Sequence, residues 1–164
     1  MRRDFLLFTV LLVVSANAAA QTPAPAVLHV RAEGRTIEVG QAELAPLPRR
    51  TIETTDGGRP VRFEGIRLAD VLARAGVTFG QTMRGERLAG YLLARASDGY
   101  RVVFALPEID PDFAVQEIII ADRQDGAPLP SRDGPLRIIA AGDKRHARWV
   151  RGLVALELHA APAP

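Results

Sequence analysis

Apolar residues come in short runs along most of this chain, broken by glycine, aspartate and proline. Val27 to Ala32 and Arg35 to Val39 read as paired strands, with Glu33-Gly34 as the tight turn between them. Gln41 to Leu47 reads as a short helical turn ended by Pro48. Arg49 to Thr54 and Val61 to Phe63 read as strands flanking an Asp56-Gly57-Gly58 turn, with Pro60 just ahead of the second. Leu88 to Ser97 and Arg101 to Leu106 form another pair across Asp98-Gly99. Ile118 to Ala121 and Leu136 to Ala140 are apolar throughout, as buried strands are, and Leu153 to His159 alternates in part.

Only one stretch shows a clear helical period. Leu68, Val71, Leu72 and Ala75 fall at i, i+3, i+4 and i+7, and Gly76 follows where a helix commonly ends. Strands outnumber helices, and hairpin turns join most of them. The expectation is therefore a single α+β domain with a mixed, largely antiparallel sheet and few short helices, spanning residues 27–159.

The first twenty residues stand apart. Arg2 and Arg3 precede an apolar run, Phe5 to Val14, too short to cross a bilayer, and small residues follow from Ser15 to Ala20. This order predicts a signal peptide over 1–20, cleaved after Ala18 or Ala20, and a periplasmic or secreted product without a membrane anchor. Residues 21–26 (QTPAPA) read as a flexible Pro/Ala spacer and 160–164 as a disordered tail. The chain has no cysteine, so neither a disulfide nor a lipid-modified cysteine is available. Loss of residues 1–20 removes two arginines and one aspartate, which takes the net charge from +2 to +1. An exported, nearly neutral protein is a poor match for nucleic acid.

Charge does cluster locally. Lys144, Arg145, Arg148 and Arg151 surround His146, with Arg137 a little upstream. Guanidinium forks suit bidentate recognition of phosphate or carboxylate, and a solvated face paired with residues such as Asp143 is the alternative. Trp149, the only tryptophan, reads as core, with stacking on a flat heterocycle as the other use. His29, His146 and His159 lack metal-ligand spacing, and Ser97 or Ser131 with His146 lacks any nucleophile elbow. Glu108, Asp110 and Asp112, set around Pro107 and Pro111, read as a structural acidic turn, and Tyr100 as a half-buried residue beside a hairpin turn.

Three blocks carry a resemblance: Phe63-Glu64-Gly65-Ile66-Arg67-Leu68, then Ala121-Asp122 with Asp125-Gly126-Ala127-Pro128-Leu129, then Gly134-Pro135-Leu136-Arg137 with Arg148-Trp149-Val150. In this order they resemble the oxidoreductase molybdopterin-binding domain, the sulfite-oxidase-like fold, from about Arg49 to Glu157. The resemblance implies that fold, molybdopterin as cofactor, and Arg137, Lys144, Arg145 and Arg148 as the residues approaching its pterin and phosphate. Catalytic members bind molybdenum through a cysteine thiolate ahead of the aromatic-Gly block, where this chain has Thr51 to Gly58. Threonine hydroxyls do not replace a soft thiolate. The expectation is thus a binding or accessory module for an anionic, pterin-type small molecule or a redox partner protein. A molybdopterin-dependent oxidoreductase with non-cysteine ligation and a structural protein with a closed cleft are the alternatives.

Overall fold

A computed structural model describes residues 27–162, so the expected signal peptide (1–20), the expected spacer (21–26) and the last two residues of the expected tail lie outside the described residues. The elements run β1 (Leu28–Ala32), β2 (Arg35–Val39), α1 (Gln41–Leu44), β3 (Arg49–Asp56), β4 (Arg59–Arg67) and α2 (Leu68–Arg74). They continue with β5 (Tyr91–Ala96), β6 (Arg101–Ala105), α3 (Leu106–Ile109), β7 (Ile118–Gln124), β8 (Ala127–Pro128), β9 (Arg137–Ala140) and β10 (Leu153–His159).

The strands form two sheets. One has the order β2-β1-β10-β5-β6, in which β1 and β10 run parallel and the other pairs antiparallel. The other runs β3-β4-β7, with β8 and β9 both pairing to β7, and is antiparallel throughout. Val30 and Leu156 of the first sheet, Phe63, Ile119 and Ile138 of the second, and Leu68 and Leu72 of α2 meet in one buried core. Backbone bonds from Ile138 N to Val150 O (2.9 Å) and from Leu153 N to Leu136 O (2.8 Å) stitch the end of one sheet to the other. This is the single-domain α+β architecture that the pattern implied.

Several boundaries differ from the sequence reading. α1 stops at Leu44, because Pro46, just past the Ala45 cap, has no N–H with which to continue the helix. β3 and β4 are longer than expected and meet at Gly57-Gly58, with φ of 60° and 79°. Pro60 lies inside β4 opposite Thr55; it is tolerated because β7 joins β4 only from Phe63 onward, so no N–H is needed there. Leu88 belongs to a 3₁₀ turn, Gly85–Ala89, and β5 begins after it. Leu106 opens α3 instead of closing β6, since Glu108 accepts the Ala105 N–H at 2.7 Å and starts a helical turn.

Candidate functional site

Sheet order decides which charges meet. β9 places Arg137 beside the hairpin of β3 and β4, where Asp56 ends β3. Arg137 is 1 % exposed, and its Nη2 lies 3.0 Å from Asp56 Oδ2. Asp133, also buried, lies 3.7 Å from Arg137 Nη1 and, through Oδ1, 3.1 Å from Arg151 Nε. The guanidinium sits 5.2 Å from the Phe63 ring centre and 5.4 Å from that of Trp149, two aromatic faces that favour a cation. Its Nε and Nη1 have no hydrogen-bond partner among the described residues. Asp56, Asp133 and Arg151 open onto a polar cleft of about 370 Å³, which Arg59, Arg132 and Asp125 also line.

Asp56 serves a second neighbour. Its Oδ1 lies 3.4 Å from His146 Nδ1, and the His146 ring stacks on Trp149 with centres 3.6 Å apart. Trp149 is buried, donates Nε1–H to Ala140 O at 2.9 Å and meets Phe63 edge-on, so its main job is core packing. Burial pushes the Asp56 carboxyl up, but the Arg137 guanidinium, helped by His146, outweighs it and holds the group below the ordinary carboxylate value.

Arg148 belongs to a different cluster. It bonds Asp143 through Nε (2.9 Å) and Nη2 (2.6 Å), and Glu108 through Nη1 (2.9 and 3.0 Å). Its guanidinium also covers the Phe104 ring at 4.8 Å. The hydrogen bonds to Asp143, working against burial and joined by those to Glu108, raise its pKa further above the range where arginine could lose a proton. Glu108 therefore starts α3 and neutralises Arg148 at once. Asp110 is fully buried and accepts the N–H groups of Gly80 (2.7 Å) and Asp112 (2.9 Å), a structural role as read.

The four residues expected to approach a pterin are thus not held alike. Arg137 and Arg148 are drawn into two separate carboxylate pairs. Lys144 and Arg145 are exposed and form no ion pair among the described residues. The sequence reading missed Asp56 and Asp133 as the partners of Arg137. Asp133 offered a weak signal, four residues before Arg137. Asp56 offered none beyond its place in a turn, because only the β3-β4-β7-β9 order brings it to Arg137. No group of three or more His, Asp or Glu side chains suited to a metal ion occurs among the described residues.

The donor set decides whether thiolate-bound molybdenum fits. It does not: the chain contains no cysteine, and Thr51 to Gly58 form a regular strand and a two-glycine turn. The Arg137 guanidinium, moreover, already faces a protein carboxylate. No curated protein matches the sequence. The family model described as the oxidoreductase molybdopterin binding domain matches residues 32–164, which includes every element from the end of β1 onward. The chain belongs to the oxidoreductase molybdopterin-binding domain family.

Proposed function

We propose that this protein is an exported binding or accessory module of the family, working without thiolate-bound molybdenum. The observation that carries this reading is the Asp56–Arg137 pair, set against a cysteine-free β3–β4 hairpin. A carboxylate of the chain itself faces the most buried cation, in the part of the domain where catalytic relatives carry their thiolate. The export part rests on the order of charge, apolar run and small residues over 1–20. Its partner is an anionic small molecule or a redox partner protein, met by the unpaired Lys144 and Arg145.

A pterin-type anion bound without metal is the second reading. The two unpartnered N–H groups of Arg137, just beneath the cleft lined by Asp56 and Asp133, favour it. One preparation tests both: protein purified from the export compartment of a molybdopterin-competent host, assayed for molybdenum and for oxidised-pterin fluorescence. We expect neither in stoichiometric amount. Pterin alone selects the second reading. Molybdenum together with pterin, one per chain, overturns the proposal. The intact mass of the same sample reports whether cleavage follows Ala18 or Ala20.

A further inference from the structure

Two exposed apolar residues lie in a segment packed against the loop that carries Lys144 and Arg145, cations with no ion pair among the described residues. Val115 is 105 % exposed and Phe113 53 %, both in the segment between α3 and β7. That segment is pinned at both ends. Asp110 O accepts the N–H groups of Phe113 and Ala114 at 3.0 Å, and Glu117 binds Arg67 at 2.6 Å. Gln116 lies so close over Gly142 that a Cβ there would overlap its amide oxygen, which puts the segment against the loop carrying Lys144 and Arg145. On the other side, the Tyr100 hydroxyl donates to Ala147 O at 2.7 Å and fastens that loop to the β5–β6 turn.

Single exposed apolar residues are ordinary. Two of them on a braced segment, next to a loop whose Lys144 and Arg145 form no ion pair among the described residues, form a preordered surface that loses little entropy on binding. Arg137 and Arg148 have their own carboxylates; Lys144 and Arg145 leave theirs to be supplied from outside. Two cations are too few for an anionic membrane, where clusters of about 4–8 Lys/Arg are the rule. They match a polypeptide that alternates acidic and apolar side chains.

We infer that Phe113, Val115, Lys144 and Arg145 form a docking surface for an acidic, apolar segment of a partner protein, a deepening that rests on the accessory-module reading. The partner's apolar side chain meets Phe113 and Val115, and its carboxylates pair with Lys144 and Arg145. Such pairing weakens with salt because the cations are exposed.

The test uses the mature protein and a short synthetic peptide of leucines flanked by glutamates, followed by calorimetry or fluorescence anisotropy. Val115→Asp and the double variant Lys144→Glu/Arg145→Glu, both confined to exposed positions, should each weaken binding about tenfold or more. Lys144 is the only lysine of the chain, so bound peptide should also slow its acetylation, read by peptide mapping. Failure to bind, or equal binding by wild type and both variants, overturns the surface and leaves the cofactor question to its own metal analysis. Binding to phosphatidylserine vesicles without response to the peptide overturns it in favour of a membrane. Self-association with no peptide binding overturns it in favour of a second copy.

Discussion

Asp56 faces two cationic or potentially cationic groups at once, and its removal isolates a guanidinium that is almost wholly out of water. Loss of one partner of a buried pair leaves an uncompensated charge, and Asp133 at 3.7 Å replaces only part of the attraction. Asp56→Asn should therefore cost about 3 kcal/mol in urea unfolding. Arg62→Gln, which breaks the surface pair with Glu64, should cost less than about 1 kcal/mol. Trp149 emission is a convenient probe, since the only tryptophan touches the cluster. The pH dependence follows from the lowered carboxyl. A group whose native pKa lies below its unfolded value stabilises the fold above the unfolded value and loses that contribution as pH falls through the native one. Wild-type stability should thus decline below the ordinary Asp value of 3.8, and this component of the decline should be missing in Asp56→Asn. At this scale the sequence displayed the cations and Asp143, which pairs with Arg148, but concealed the counter-ions of Arg137. Lys144, Arg145 and Arg148 are neighbours in the chain, whereas Asp56 reaches Arg137 only through three strand pairings.

At the scale of elements, the recognised blocks acquire physical reasons. Phe63 supplies an aromatic face to Arg137, and Leu68 begins the buried side of α2. Gly65 lies between them at the irregularity where β4 meets β7, and a Cβ there would run into the Ile120 carbonyl. Gly65→Ala should therefore destabilise the protein by about 2 kcal/mol or more, measured as a lowered urea midpoint, although alanine suits a strand better than glycine. Asp125 and Gly126 close the β7–β8 turn with φ of 51° and 80°, which explains the second block. Periodicity and turn chemistry revealed most strands and α2. They failed at Pro60, where the missing N–H faces no neighbouring strand, and at Leu88 and Leu106, where helical turns interrupt apolar runs. In those places the neighbours of a segment, which a linear pattern does not contain, decided its conformation.

Across the whole molecule, composition and turn spacing were enough for the α+β class and the single core. The division into two sheets was not legible, because it depends on which strands share a neighbour. β10 shows this best: it is the last strand in sequence, yet it lies between β1 and β5 in space, parallel to the first strand of the domain. Until residues 153–159 arrive, β1–β2 and β5–β6 are two separate hairpins without a common sheet. Isolated hairpins are marginal in water, so the central pairing forms only across the longest sequence separation in the domain. Closure of this sheet is consequently a late event, since β10 alone among the described strands touches both hairpins, whereas β3, β4, β7 and β9 pair without it.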